Sequence, residues 1–134
     1  SINSTLFSEQ GNIYPLALKR TEEKVHGEGG NIIGETPCGD VLIIDDGLSA
    51  GTAGKESIET IVSLSATPNA FIVGLDRQEK GKLEKAASQE LRDDFNMRVE
   101  SIVNLDILIS FVKNDPKYDQ HLDGLNEYRD IWGA

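Results

Sequence analysis

Between Asp45 and Ala53 the sequence reads Asp45-Asp46-Gly47-Leu48-Ser49-Ala50-Gly51-Thr52-Ala53, which gathers two carboxylates, two hydroxyls and a run of small residues. If this stretch joins the end of a buried strand to the start of a helix, its small residues leave backbone N–H groups open. Ser49 and Thr52 add hydroxyl donors, and the helix N-terminus adds partial positive charge. That combination suits a phosphate. Two adjacent carboxylates suit neighbouring sugar hydroxyls, each of which can donate a hydrogen bond to an ionised acceptor. A phosphorylated ribose satisfies both halves. The spacing is not that of a nucleoside-triphosphate P-loop, which needs Gly-Lys-Ser/Thr after a longer glycine turn, and it is not a dinucleotide fingerprint. The plainer reading is that Asp45 and Asp46 end a strand and cap a helix.

Elements of the required kind flank the segment. Val41 to Ile44 is a continuous, β-branched apolar run, as expected of a strand buried on both faces of a parallel sheet, and it is expected to stop at Asp45-Asp46. Downstream, Ile58, Ile61, Val62 and Ser65 recur at helical spacing. The pattern then repeats. Ala70 to Leu75 reads as a second buried strand, and Leu83, Ala87, Leu91 and Phe95 as one face of a helix ending near Asn96. Val99 to Val103 reads as a third strand, followed by a helix through Leu108, Phe111 and Val112 that stops near Pro116. Tyr118, Leu122, Leu125, Arg129 and Trp132 predict a terminal helix over Lys117 to Ile131 that packs through Trp132. Upstream, Ile2 to Gln10 predicts a short helix ended by Gly11 and Asn12. Tyr14 to Leu18 predicts a strand, and the glycine-rich Arg20 to Gly34 a mobile loop. Alternating strands and helices imply an α/β fold with a mostly parallel sheet flanked by helices. Ligands of such sheets bind beyond the carboxyl ends of the strands, which selects Asp45 to Thr52.

With 134 residues, 38% of them hydrophobic, the chain is expected to form a single domain over residues 1–134. No apolar run approaches the ~18 residues of a membrane span. Ser1 to Gln10 lacks a basic segment followed by an apolar one, so no secretory signal and no membrane partner are expected. One cysteine, Cys38, precludes an internal disulfide and fits a reducing, cytoplasmic setting. A formal net charge of −10, from 23 acidic and 13 basic residues, argues against sequence-independent nucleic-acid binding, where cations must replace counterions. Lys19, Arg20 and Lys24 nonetheless cluster in this acidic chain and offer an anion a local basic site.

Ile43-Ile44-Asp45-Asp46 followed by Ala50-Gly51-Thr52 resembles the signature for phosphoribosyl pyrophosphate (PRPP) in type I phosphoribosyltransferases. Lys24-Val25-His26-Gly27-Glu28-Gly29-Gly30-Asn31 is similar to the mobile catalytic loop of the orotate phosphoribosyltransferases, and Leu75-Asp76-Arg77-Gln78-Glu79 to that family's later strand-end motif. These segments lie in the family's order and spacing, Tyr128-Arg129 also fits, and the likeness spans essentially the whole chain.

The resemblance implies a type I phosphoribosyltransferase-like (Rossmann-like) core that lacks the family's amino-terminal portion. It implies transfer of the phosphoribosyl group from PRPP to orotate, giving orotidine 5′-monophosphate and pyrophosphate, with Mg²⁺ bound mainly through PRPP. Arg20, Lys24 and His26 would contact the pyrophosphate, with Lys24 the main catalytic cation and His26 beside it on the loop. Asp45, Asp46, Gly47, Leu48, Ser49, Ala50, Gly51, Thr52 and Ala53 would bind the ribose phosphate. Ser49 stands where a threonine touches orotate, and Arg77 would pair with the orotate carboxylate, which its planar fork suits. Thr21 stands where the family's loop carries a second lysine, and Gly47 replaces a bulkier residue. The family's loop reaches into a neighbouring subunit, so a homodimer or a companion chain is expected. Without the resemblance, Arg77 reads as a surface cation, and His26 and His121 as exposed histidines. The alternative function is a PRPP- or nucleotide-binding module without turnover, or a subunit completing a partner chain, which an exposed apolar edge near Ile2 to Leu18 would favour.

Overall fold

The structure is a computed structural model that describes residues 2–19 and 32–134. Arg20, Lys24 and His26 lie outside the described residues. Two compact units divide the chain, Ser1–Cys38 and Gly39–Ala134.

In the first unit, helix α1 (Ile2–Gln10) has the bounds read from sequence, and Gly11 follows it with φ +70°. Strand β1 (Ala17–Lys19) pairs antiparallel with β2 (Ile32–Gly34), in register Leu18 to Ile33. The second of these strands falls where a loop was expected. Its three residues Ile-Ile-Gly are too few to show an alternation, and only the pairing with β1 identifies them as a strand.

The second unit is α/β. Strands β3 (Asp40–Leu48), β4 (Thr67–Asp76) and β5 (Arg98–Asn104) form a parallel sheet in the order β3-β4-β5. Helix α2 (Thr52–Ser63) connects the first pair and α3 (Ala87–Phe95) the second. Register partners in a parallel pair share a face. Ile43 aligns with Phe71, and Phe71 with Val99, so these three lie on one side of the sheet. Phe71, Val73 and Val99 on that side join Ile58 of α2 and Ala87 and Leu91 of α3 in the core, with Leu48 and Met97 completing it.

The other face of β3 is open rather than buried: Leu42 is 50% and Ile44 44% exposed, and Ile102 on β5 is 76% exposed. A run of β-branched residues fits a strand covered on one side as well as one covered on both, and the sequence does not separate the two. The strand also does not stop at the carboxylates. Pairing continues through Gly47–Leu75 and Leu48–Asp76, which puts Asp45 and Asp46 inside the last turns of β3.

Helix α2 buries Ile58 and Ile61 as expected. Val62 is exposed, and Ser65 lies past the helix end with φ +61°. Helix α3 begins at Ala87, so Leu83 is outside it and 67% exposed. The cause is local. The Leu83 N–H donates to the Glu90 carboxylate at 2.5 Å, and the Gly81 N–H closes a turn on the Lys85 carbonyl at 2.8 Å, both of which hold residues 81–85 away from a helix. Asn96 ends α3 in the left-handed region, as its type allows. Helix α4 (Leu105–Lys113) is capped by the Asn104 side chain, which accepts from Ile107 N–H at 2.9 Å. Where one terminal helix was expected, a 3₁₀ segment (Pro116–His121) precedes α5 (Leu122–Trp132). Pro116 and the Asp115 cap explain the tight first turns. Trp132 is 55% exposed and does not anchor the helix by burial; its carbonyl accepts from the Lys80 N–H instead.

Candidate functional site

The carboxyl ends of β3 and β4 bring together two of the sequence-derived groups, the Asp45–Ala53 segment and Arg77. Asp45 is half-buried and Asp46 exposed, as alternation along a strand requires. The Asp45 carboxylate accepts from the Asp46 N–H at 2.8 Å, which fixes one of its oxygens and leaves the other available. Among the described residues no ion pair neutralises either carboxylate.

After Leu48 the chain bends through Ser49, Ala50 and Gly51 and enters α2 at Thr52. Ser49, Ala50, Thr52 and Ala53 are exposed, whereas Gly51 is buried. Gly51 has φ +81°, and a Cβ there would lie 3.1 Å from the Ala87 Cβ, so both the backbone angle and the close approach of α3 require glycine. No side chain caps α2. The first amides of the helix therefore face the turn without a side-chain acceptor, as an incoming anion would need.

Arg77 follows the buried Asp76. Its N–H donates to the Leu48 carbonyl at 3.1 Å, so Arg77 is tied to the peptide that leads into Ser49. The Asp76 carboxylate accepts from the Gln78 N–H at 2.9 Å, and Gln78 sits at φ +53°. This sharp turn leaves the Arg77 side chain half exposed at the strand end.

Sequence reasoning named Gln78, Glu79, Tyr128 and Arg129 only as parts of motifs, and it missed Asp106 and the contacts that hold this turn. The Gln78 side chain pairs reciprocally with Asp106, donating to its carboxylate at 3.0 Å and accepting its N–H at 2.9 Å, and Arg129 donates to the same carboxylate. Tyr128 donates to Glu79, whose carboxylate lies 3.6 Å from the Arg77 guanidinium. The Tyr128 oxygen, and then Glu79, hold Arg77 above its ordinary range, while burial foremost and Glu79 next push the Tyr128 phenol up. A second network lies farther along. Glu90 is 2% exposed and is held below the usual carboxylate range first by the Leu83 N–H, with Lys55 3.7 Å away. Lys55 in turn donates to Asp94 at 2.6 Å, which raises its ammonium above its ordinary value. The only sequence signal for Glu90 was a carboxylate one position before the core residue Leu91, and that is too common to single out.

No three or more His, Cys, Asp or Glu side chains among the described residues are arranged to hold a metal ion. Among the described residues neither Asp45 nor Asp46 has a cationic partner, so the pair is compatible with a cation that arrives on the oxygens of a phosphorylated ligand. No described helix is long and apolar enough to cross a membrane. His121 is exposed, at 3.3 Å from the Gln120 amide, and takes no part in the strand-end cluster.

The strand–turn–helix geometry coincides with a whole-chain likeness to known proteins. Over all 134 residues the chain is 41% identical to the curated orotate phosphoribosyltransferases of Marinobacter nauticus and Haemophilus influenzae. By sequence it is a relative of the orotate phosphoribosyltransferases. The fold agrees: the crystal structure of orotate phosphoribosyltransferase from Francisella tularensis matches 99% of this chain with a TM-score of 0.73 at 28% identity. The chain spans 63% of the length of each of these three relatives. No protein-family profile matches it.

Proposed function

We propose that this chain forms an orotate phosphoribosyltransferase site, binding PRPP at the β3–α2 turn and transferring its phosphoribosyl group to a ring nitrogen of orotate. The observation that carries the reading is the convergence of Asp45-Asp46, the buried left-handed Gly51 and Arg77 at one sheet end, in a chain similar throughout to enzymes of that name. Asp45 and Asp46 accept the ribose hydroxyls, and Gly47 to Ala53 hold the 5-phosphate through backbone N–H groups and the hydroxyls of Ser49 and Thr52. Ser49 also reaches orotate, and Arg77 receives its carboxylate in a forked pair.

In the reaction the bond from the ribose anomeric carbon to pyrophosphate oxygen breaks, the pyrophosphate leaves with the electron pair, and the ring nitrogen bonds to that carbon as its proton passes to pyrophosphate or water. Arg20, Lys24 and His26 stabilise the departing pyrophosphate, with Lys24 as the principal cation. When bound with PRPP, Mg²⁺ supplies positive charge to the phosphate oxygens. This reading places the protein in pyrimidine biosynthesis in the cytoplasm, as a homodimer or with a companion chain.

A second reading, a subunit that completes a partner, is favoured by the exposure of Ile13 at 81%, Leu18 at 54%, and Tyr14 and Leu16 at 48% each. Loss of orotate absorbance after mixing the chain with Mg²⁺ and PRPP, beside Lys24→Ala, tests the proposal. Turnover that collapses in the variant is the expected result. Absence of turnover in both leaves the second reading.

A further inference from the structure

The carboxyl-terminal helix holds the turn that presents Arg77, and it does so through both backbone and side chains. The Lys80 N–H donates to the Trp132 carbonyl at 2.9 Å, and the Ala134 N–H to the Gln78 carbonyl at 3.0 Å, while Glu79 bridges to Gly133. The last residues of the chain thus lie antiparallel along residues 78–80. Asp106 ties the same turn to α4 and α5 by taking Gln78 on one side and Arg129 on the other.

Within this frame one short relay reaches the guanidinium. Tyr128 donates its hydroxyl hydrogen to Glu79 Oε1, and that same oxygen lies 3.6 Å from Arg77 Nη1. The Glu79 side chain is 14% exposed and the Arg77 side chain 50%. A nearly buried carboxylate, oriented by a hydroxyl, therefore stands behind a half-exposed cation. A free arginine side chain samples many rotamers, and ordering it on ligand binding costs affinity. A guanidinium held by one edge keeps its remaining N–H donors in fixed directions, which suits a planar carboxylate approaching the other edge.

We infer that Tyr128 and Glu79 are positioning residues that aim the Arg77 guanidinium, and that the carboxyl-terminal helix thereby sets the preference of the site for pyrimidines bearing a carboxylate. The inference rests on the proposed contact between Arg77 and the orotate carboxylate. Removal of the Tyr128 hydroxyl takes from Glu79 Oε1 its donor and leaves only the ion pair with Arg77 at 3.6 Å to orient it. Arg77 then keeps its charge and loses its direction, so the penalty falls on the ligand group that needs direction.

Orotidine 5′-monophosphate and uridine 5′-monophosphate differ only in that carboxylate, so the ratio of their affinities for the full chain isolates it. Calorimetric titration of both nucleotides into the wild type, Tyr128→Phe, Glu79→Gln and Arg77→Ala is the test. The expected result is a wild-type preference for orotidine monophosphate that Arg77→Ala abolishes. Tyr128→Phe and Glu79→Gln should each reduce it by about tenfold, the worth of one hydrogen bond involving a charged group. Their uridine monophosphate affinity should stay within about twofold of wild type, because the 5-phosphate contacts are untouched.

If Arg77→Ala loses the preference while Tyr128→Phe and Glu79→Gln keep it, the positioning role is overturned and the Arg77 contact stands. An equal loss for both nucleotides in Tyr128→Phe also overturns it, as general loosening of the fold would. If Arg77→Ala keeps the preference, or if the wild type has none, the proposed Arg77 contact itself fails. A readout that needs no ligand is exchange of the Arg77 Nε hydrogen with water, followed by nitrogen NMR. It should quicken in Tyr128→Phe, and an unchanged rate would overturn the inference.

Discussion

Alanine at Gly74 should force the two strands that carry the site apart where the acidic pair sits. Gly74 lies on β4 between the pairings Asp45–Val73 and Gly47–Leu75, directly beside Asp46. A Cβ there would stand 2.7 Å from the Asp46 carbonyl oxygen. Carbon–oxygen contacts of this kind settle no closer than about 3.3 Å, so the backbone at Asp46 must move by about 0.6 Å. Overpacking of this sort costs about 1–3 kcal/mol, and the lower chain entropy of alanine in the unfolded state offsets about 0.5–1 kcal/mol of it. The expected net loss is centred on about 1 kcal/mol, read as a lower midpoint in urea unfolding at unchanged slope. A binding site tolerates displacements of only about 0.5 Å, so PRPP affinity should fall roughly tenfold, or about 1.4 kcal/mol, by titration calorimetry with Mg²⁺ present. Unchanged stability would refute the steric argument. Lower stability with unchanged PRPP affinity would refute the placement of Asp46 against the ligand.

Leu91→Ala removes a fully buried side chain that packs against Gly54 of α2, and it should cost about 2–5 kcal/mol in urea unfolding, with a loss under about 1 kcal/mol contradicting the core described above. Glu90 yields a pH prediction. Its carboxyl is held below the ordinary 4.5, first by the Leu83 N–H, so its stabilising contribution is complete above the unfolded value and is lost as pH falls through the folded one. Thermal melts should therefore show the wild type losing stability between about pH 5 and about pH 3, and Glu90→Gln losing distinctly less over that window. Parallel curves for the two proteins would show that Glu90 contributes nothing to the acid limb.

The candidate segment stood out in the sequence because its chemistry is contiguous. Asp45 to Ala53 announces itself by residue type, and the ends of parallel strands are where such a segment works. Arg77 was legible only through the motif around it, since a lone arginine at a strand end has no local signature. The relay behind it was not legible, because Glu79 and Tyr128 are 49 residues apart and meet only once α5 returns along the turn. Leu83 shows a different failure. Its spacing of four from Ala87 is helical, yet the Glu90 carboxylate captures its amide and the helix starts later. Trp132 was expected to pack because its spacing continues the apolar face of the terminal helix, but it is 55% exposed and the terminal segment is fastened by its backbone. The strand periodicity placed Ile44 in the sheet correctly and could not say that its side of the sheet would be open, since coverage depends on elements that the strand itself does not encode.

The central claim is that the β3–α2 turn is a PRPP site with Asp45 and Asp46 on the ribose. Titration of PRPP with Mg²⁺ into the chain and into an Asp45→Asn, Asp46→Asn double variant tests it most directly. The account predicts saturable binding at one site per chain, weakened by at least about tenfold in the double variant through loss of two charge-assisted hydrogen bonds. Equal affinity in the two proteins, or no saturable binding to the wild type, would contradict it.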